Sequence, residues 1–379
     1  MDQPIQYFVT CAKGLEEAVV KELQGENIGA TEIMSRASGV SFTGTLATGY
    51  SANLWLRSGI RVLAELARHY ANTPEQLYER AKQIEWSRYM SVNQTLAVDA
   101  RVWDSPQITH SKYAALKVKD AICDYFRAKQ GSRPNVDVDN PDLPLFVYVH
   151  RDQAIFYRDM SGVTLHKRGY RDVMHKSSLN ESIAAGILIL ADWHGQTPLV
   201  DPLCGSGTFA IEAALLAMNK APGLFRKEFP FARWPDFDAA VWKKCQDDAA
   251  AKALPSLPHP ICINDRHGGS VGLAQKDSQA AGVDKFIQFS QVDIADYRPP
   301  VHPGIVVANP PWGERIGDED LIATWSSLGN FLRSQCKGAE AWILSGNKEV
   351  TRSLKLKSSR KFSLQIGQLE CLVLKYEVW

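Results

Sequence analysis

The chain has 379 residues, 45% of them hydrophobic and 22% charged, with 43 Lys and Arg against 42 Asp and Glu for a net charge of +1. Those proportions exclude collagen-like, disordered and disulfide-scaffold classes, and at about 100–200 residues per domain the length allows two or three domains. There is no run of about 18 apolar residues and no basic start followed by an apolar block, so neither a transmembrane helix nor a secretion signal is expected. The seven cysteines lie far apart with no C-x-x-C pair. Zinc and a disulfide framework are therefore not expected, and a reduced, cytoplasmic compartment is.

In chain order, Gln6–Thr10 reads as a strand, and 14–24 as a helix on the spacing of Leu15, Val19 and Leu23. Val40–Phe42 is a short strand, 49–67 mostly helix, and Leu77–Ile84 a short helix. Residues 95–102 alternate Leu96, Val98, Ala100 and Val102, the pattern of a half-buried strand. Residues 111–129 form an amphipathic helix with Leu116, Ile122, Tyr125 and Phe126 on one side and Lys112, Lys117, Lys119 and Arg127 on the other. Leu145–His150 and Ala154–Arg158 read as a hairpin. Residues 101–133 carry seven Lys or Arg against three Asp, and 348–361 six against one Glu. Local basic surplus on a neutral chain suits an enzyme that docks on a polyanion. The four cations of the 111–129 helix are candidate nucleic-acid contacts, with Lys167, Arg168 and Arg171 of the polar stretch 161–171 beside them. Trp103, Tyr113, Tyr125 and Tyr148 read as core, and His110 and His166 as packed or surface histidines.

The polar stretch marks the join between 1–158 and 159–379. Beyond it the pattern alternates: helix 178–193, strand 198–200, helix 208–218, strand 261–264, helix 270–281, strands 286–292 and 305–308, helix 320–335, then strands 341–344 and 370–377. Such alternation predicts a doubly wound, largely parallel sheet. Residues 219–258, rich in Pro and aromatics, read as an insertion that Trp234, Phe237 and Trp242 pack down. The fragment 159–379 is expected to keep small-ligand binding on its own and to lose nucleic-acid affinity.

Leu199-Val200-Asp201-Pro202-Leu203-Cys204-Gly205-Ser206-Gly207-Thr208 is strand, acidic end, Gly-x-Gly turn, helix. The turn sits where open α/β sheets bind ligands, and its glycines allow close backbone approach. Asp201 would repel a phosphate and suit an amino-acid ammonium, which points to S-adenosylmethionine; the third glycine of a dinucleotide site is missing. Asp265 ends the next strand, where it can accept ribose hydroxyls, and Asp293 ends the third, within reach of an adenine amine. Asp265 lies 58 residues beyond Gly207, where a dinucleotide fold expects about 20. Asn309-Pro310-Pro311-Trp312 stops the strand before it. It presents the Asn309 side-chain oxygen and Pro310 carbonyl beside an aromatic plate, two acceptors for the exocyclic amine of a stacked base. Ser178-x-x-Glu181 fits a capping box.

Residues 201–208 and 309–312 resemble motifs I and IV of the class I amino-methyltransferases. With Tyr113–Ile122, Leu165–Arg171, Ala221-Pro222-Gly223 and Gly313-Glu314-Arg315, they resemble the bacterial 23S rRNA guanine-N2 methyltransferases of the RlmL type over nearly the whole chain. The resemblance implies a ferredoxin-like segment and a THUMP RNA-binding domain before a Rossmann-like methyltransferase domain with an antiparallel last strand. It also implies S-adenosylmethionine as cofactor, 23S rRNA or a ribosome assembly intermediate as partner, and cofactor contacts from Leu203, Gly205, Ser206, Gly207, Thr208 and Asn309, with Asn180 and Ser182 on the helix before the glycine turn. Trp312 stands where Tyr is usual, and Asp265 lacks the usual glycine and second acid around it. A second, C-terminal methyltransferase domain, carried by some relatives, is not expected. Two rival readings are adenine-N6 methylation of DNA or RNA, and an RNA-binding assembly protein with a vestigial cofactor site.

Overall fold

A computed structural model describes residues 4–171, 178–313 and 318–379. Two sheets organise it. The first contains β1 (Ile5–Cys11), β2 (Thr31–Arg36), β3 (Gly39–Gly44), β4 (Gly59–Tyr70), β5 (Thr95–Trp103), β6 (Asn135–Val136), β7 (Leu143–His150) and β8 (Gln153–Asp159), in the order β2-β3-β1-β4-β8-β7-β5-β6. Its helices are α1 (Glu16–Gln24), α2 (Leu46–Trp55), α3 (Pro74–Gln83) and α4 (Ser111–Gln130). The stretch 49–67 departs from the helical reading: α2 stops at Trp55, and β4 begins at Gly59. β4 is central, paired with both β1 and β8 and buried at Val62, Leu63 and Ala64. A strand covered on both faces loses its alternation, so its apolar run is indistinguishable from a buried helix by periodicity alone.

The second half contains α5 (Glu181–Leu190), β9 (Leu199–Asp201), α6 (Thr208–Ala217), α7 (Ala239–Ala251), β10 (Ile261–Asn264), α8 (Gly268–Ala280), β11 (Ile287–Ser290), β12 (Ile305–Ala308), α9 (Asp318–Gln335), β13 (Glu340–Ser345), α10 (Lys348–Thr351), β14 (Arg360–Ile366) and β15 (Leu369–Glu377). The sheet order is β11-β10-β9-β12-β13-β15-β14, parallel from β11 to β13, with β15 antiparallel to β13. The last strand is thus antiparallel, as expected. β14, also antiparallel to β15, has no counterpart in the sequence reading. β9, β10 and β12 are buried along their whole length, so their apolar residues run on without alternation. The order reverses between β10 and β12 around β9, and ligands of open α/β sheets bind at such a switch point, outside the carboxyl ends of the strands.

The two halves share their cores. Phe229, Phe231, Trp234 and Ala249 of the 219–258 segment belong to the cluster built by α2, β1 and β4. Phe231 lies 4.6 Å from Tyr50, and Trp242 5.5 Å from the same ring. Arg158 of β8 makes a bidentate pair with Asp236 at 2.8 and 2.9 Å, and Trp234 Nε1 donates to the Asp142 carbonyl at 3.0 Å. In the other direction, Leu15, the N-cap of α1, and Ala18 of α1 sit in the core around α5 and α6. The segment read as an insertion is the adhesive between the halves.

Candidate cofactor and catalytic site

A cavity of about 590 Å³ opens at the carboxyl ends of β9, β10 and β12. It falls in the usual size range of small-molecule sites, about 300–1,000 Å³. Leu203, Gly205, Asp265, Asp293, Asn180, Asn309, Pro310 and Trp312 all line it. The strand ends therefore bring together residues that are more than a hundred positions apart in sequence.

The two glycines of the turn do different work. Gly205 has φ +51°, and a Cβ there would meet nothing within 4 Å, so its backbone is open to the cavity. Gly207 has φ +72°, and a Cβ there would lie 2.8 Å from the Ala274 Cβ on α8. Gly207 is needed for helix packing and left-handed backbone, a role the sequence reading did not give it. Gly207→Val should therefore lower the melting temperature of the ligand-free protein as well as abolish S-adenosylmethionine binding, because a β-branched residue is an outlier at positive φ. A calorimetric titration with a thermal melt checks both; unchanged melting would contradict the packing role.

Asp201 is 1% exposed, and its Oδ1 accepts from the Leu203 N–H at 3.2 Å. It underlies the turn without lining the cavity. Burial, reinforced by the nearby Asp265 charge, pushes its carboxyl up to about 8. A raised carboxyl favours the protonated folded state, so this contribution to stability is present below the ordinary carboxylate range and is lost as pH rises through about 8. The ligand-free protein should melt progressively lower as pH rises from about 4 to about 8, with this contribution levelling off above that. Asp201→Asn should flatten that fall, and parallel melting curves for the two proteins would refute it.

Asp265 is occupied on both oxygens: Oδ2 accepts from the Gly205 N–H at 3.0 Å and Oδ1 from the His267 N–H at 2.9 Å. It thereby fixes the exposed face of the turn. Asp293 is exposed, and its Oδ1 accepts from the Ala295 N–H at 3.0 Å, the geometry of a local loop cap at the cavity rim. Asn264, absent from the sequence reading, is fully buried and bridges both neighbouring loops. Its amide donates to the Val292 carbonyl at 3.0 Å and the Pro202 carbonyl at 3.3 Å, while its oxygen accepts from the Val292 N–H. A polar residue closing the apolar run Ile-Cys-Ile was the signal for it.

The capping box is not formed. Asn180 is the N-cap of α5, and its Oδ1 accepts from the N–H and hydroxyl of Ser182. Ser182 is buried and does not reach the cavity, and neither does Thr208; Ser206 bonds to Ser178, which does. Asn180 lines the cavity, and Glu181 points instead to Arg171 at 2.8 Å.

The Asn-Pro-Pro-Trp turn is held from three sides. Trp325 Nε1 donates to the Pro311 carbonyl at 2.8 Å, Asn347 Nδ2 to the Trp312 carbonyl at 3.3 Å, and Trp312 Nε1 to the Leu344 carbonyl at 3.2 Å. The Trp312 ring packs so closely on Gly346 that a Cβ there would lie 2.6 Å from it. Held in this way, Asn309 leaves its Oδ1 buried with no hydrogen-bond partner among the described residues. An orphaned buried acceptor costs free energy comparable to a lost hydrogen bond. It is the mark of a group waiting for a donor. The far wall is the stripe Asp320, Ala323, Thr324 and Ser327 on α9, small and polar residues at helical spacing that the sequence reading passed over. Glu314 and Arg315 lie outside the described residues.

The basic candidates divide. On α4, Lys112 is exposed and Lys117 sits 5.4 Å from the Tyr113 ring; Lys119 pairs with Asp120 at 2.5 Å and Arg127 with Asp124 at 2.6 Å. Lys167 is exposed. Arg168 and Arg171 are corrected: both side chains are buried in ion pairs and cannot meet RNA as open cations. Arg168 is 2% exposed, against Glu212 at 3.1 Å and the Arg57 carbonyl at 2.6 Å. Burial and the neighbouring Arg168 charge push His166 down to about 4, so it is neutral at neutral pH. Trp103 and Tyr113, read as core, are 62% and 45% exposed, and Leu116 on α4 is exposed too, whereas Tyr125 is buried.

The sequence pattern of the RMKL-like methyltransferase domain matches residues 168–375. The chain belongs to this family. A THUMP domain matches residues 71–159, and an RlmL ferredoxin-like domain residues 6–63. A Synechocystis protein named as a candidate RNA methyltransferase is 36% identical over 374 residues, covering 98% of this chain and 97% of that protein. The ribosomal RNA large subunit methyltransferase K/L of Methylococcus capsulatus is 40% identical over 380 residues, covering 98% of this chain and 51% of that protein. The chain thus spans about half the length of its K/L relatives. The crystal structure of SMU.472, described as a methyltransferase complexed with SAH, superposes with a TM-score of 0.88 at 28% identity, over 100% of this chain and 99% of that one. The family makes the protein a methyltransferase with S-adenosylmethionine as methyl donor. The cavity fits that group: an open glycine, two carboxylates at strand ends and an orphaned acceptor, in a space of suitable size. Among the described residues no helix is long and apolar enough to cross a membrane, and no group of His, Cys, Asp and Glu is arranged to hold a metal.

Proposed function

We propose that this methyltransferase acts on the exocyclic N2 amine of a guanine in 23S rRNA, in the cytoplasm, on free RNA or a ribosome assembly intermediate. The observation that carries the reading is that Asn309, whose buried Oδ1 has no partner among the described residues, lines the same cavity as the open Gly205. In this reading Asn180, Leu203, Gly205 and Asp265 hold the cofactor, with Asp293 at the rim, and Asn309 with the Pro310 carbonyl accepts the two amine hydrogens. S-adenosylmethionine supplies an electrophilic methyl group. A guanine amine is a weak nucleophile because its lone pair is delocalised into the ring. Holding both N–H bonds fixes the nitrogen's direction of attack, and such positioning can be worth up to about 7–11 kcal/mol. The amine becomes acidic as it gains the methyl, so no strong base is required. Trp312 forms the wall beside the target base, which must leave its stack to enter. The N-terminal sheet and α4 grip the RNA, through Lys112, Lys117 and Lys167 and through the exposed rings of Trp103 and Tyr113.

The test is methylation of rRNA from cells lacking the gene, with labelled S-adenosylmethionine and mass mapping of the modified nucleosides. N2-methylguanosine in 23S rRNA supports the reading. N6-methyladenosine would replace it with the adenine alternative, whose amine geometry is similar. Failure to bind the cofactor would favour an assembly protein with a vestigial site.

A further inference from the structure

We propose that Arg171 is a positioning residue for the cofactor, a clasp that sets the walls of the cleft rather than a contact to RNA. The proposal rests on reading that cleft as the S-adenosylmethionine site. Arg171 lies outside the cavity lining, and its side chain is 4% exposed. Its guanidinium nevertheless reaches three elements that shape the cavity. Nη1 donates to Glu181 Oε1, the first residue of α5, at 2.8 Å. Nε donates to Asp277 Oδ2 on α8 at 2.9 Å. Nη2 donates to Thr208 Oγ1 at the start of α6 at 2.8 Å and approaches Ser206 Oγ at 3.4 Å. Ser206 in turn donates to Ser178 Oγ at 3.0 Å, and Ser178, Leu179 and Asn180 line the cavity opposite Gly205.

The consequence is geometric. Gly205 and Asn180 belong to different segments, the glycine turn after β9 and the N-terminus of α5. Each is flanked in sequence by an Arg171 partner: Ser206 beside Gly205, Glu181 beside Asn180. A planar, five-donor fork can hold several acceptors at fixed angles, whereas a lysine offers one nitrogen. Charge-assisted bonds of this kind are short and directional. Arg171 also follows Arg168, whose guanidinium joins Glu212 of α6 to the Arg57 carbonyl between α2 and β4, and Tyr170, whose hydroxyl donates to Glu212 at 3.1 Å. The stretch 168–171 thus packs inward through three polar side chains around Gly169. Its density of arginines, which reads as a nucleic-acid patch in sequence, serves the interior.

Two variants test this. Arg171→Lys keeps the charge and loses the fork. Thr208→Val keeps the shape and both ion pairs and removes the 2.8 Å bond from Nη2, together with the longer contacts of the Thr208 hydroxyl to Ser206 and the Leu179 carbonyl, so it stands even where the arginine variant folds poorly. Binding of S-adenosylhomocysteine is measured by calorimetry, RNA binding by filter retention of 23S rRNA at two salt concentrations, and folding by thermal melt. Each variant should weaken cofactor binding about tenfold or more, with RNA affinity and its salt dependence unchanged. The double variant should lose no more than Arg171→Lys alone, since both cut one connection. Wild-type cofactor affinity in a folded Thr208→Val protein would overturn the proposal. So would additive losses in the double variant, or a reduced salt slope for RNA in Arg171→Lys, which would restore the arginine to the RNA surface. Absence of S-adenosylhomocysteine binding to the unmodified protein would overturn the cofactor reading itself, and this one with it.

Discussion

Asn309→Ala is expected to slow methyl transfer on the order of 10²–10³-fold, the usual cost of removing one preorganised transition-state partner, while leaving cofactor affinity and the thermal melt close to those of the unmodified protein. The reasoning starts at the strand. β12 ends at Ala308 because Pro310 and Pro311 cannot continue a central strand. The turn that follows is held by backbone acceptors and neighbouring side chains, through Trp325, Asn347 and Trp312, with no contribution from the Asn309 oxygen. Removing that oxygen therefore takes away no hydrogen bond among the described residues, and the fold should not register it. What disappears is an acceptor whose value rises as the amine nitrogen gains positive character, so kcat should fall more than the RNA KM rises. Single-turnover methylation beside a thermal melt checks this, and a normal rate in folded Asn309→Ala protein would remove the motif from the mechanism. Trp312→Ala is the poorer probe. Its ring packs into two core clusters and its Nε1 is bonded to Leu344, so stability and activity should fall together. Trp312→Tyr keeps an aromatic wall and should retain more of both.

The catalytic half is largely legible in the sequence because its signals are local. A strand, an acidic end, a Gly-x-Gly turn and a helix follow one another within ten residues, and the Pro-Pro stop after β12 needs no tertiary information. Sequence does not show which way each side chain faces. Gly205 and Gly207 look equivalent, yet one opens to the cavity and the other packs on Ala274. Arg168 and Arg171 look like solvated cations because their partners, Glu212, Glu181 and Asp277, lie 10 to 106 residues away. Helix 14–24 is visible because one face is solvated; β4 is not, because it is central. The aromatics mislead in the opposite sense. Trp103 ends a strand near the sheet's edge and Tyr113 lies in the first turn of α4, positions where a large ring stays in water despite its composition.

The fragment 159–379 is expected not to fold as a cooperative unit, against the independence its sequence suggests. Deleting 1–158 removes the whole first sheet and its helices. Phe229, Phe231 and Trp234, buried now, would lose the cluster that contains Tyr50, Val62 and Phe156. Exposing an aromatic or large aliphatic side chain costs about 1.5–3 kcal/mol, so three such residues forfeit a sum comparable to the entire stability of an ordinary domain, about 5–15 kcal/mol. The damage also reaches the cofactor half directly: α5 loses Leu15 and Ala18 at the start of α1, and β14 loses the Lys13 carbonyl that accepts from the Gln365 N–H at 3.0 Å. Arg168 would lose its bond to the Arg57 carbonyl, beside the Arg171 clasp. The measurement is calorimetric melting of the fragment, with S-adenosylhomocysteine titration as a second readout. A single sharp transition with full cofactor affinity would show that the shared core is dispensable. A broad or absent transition, in a fragment that exposes apolar surface, would show that the RNA-binding and catalytic halves are one folding unit, so that a truncation cannot assign RNA affinity to either half. Point substitutions at Lys112, Lys117 and Lys167 then become the means of locating the RNA surface. Removing a cation that neutralises one phosphate should lower the salt dependence of binding by about one unit of log–log slope while the core stays intact.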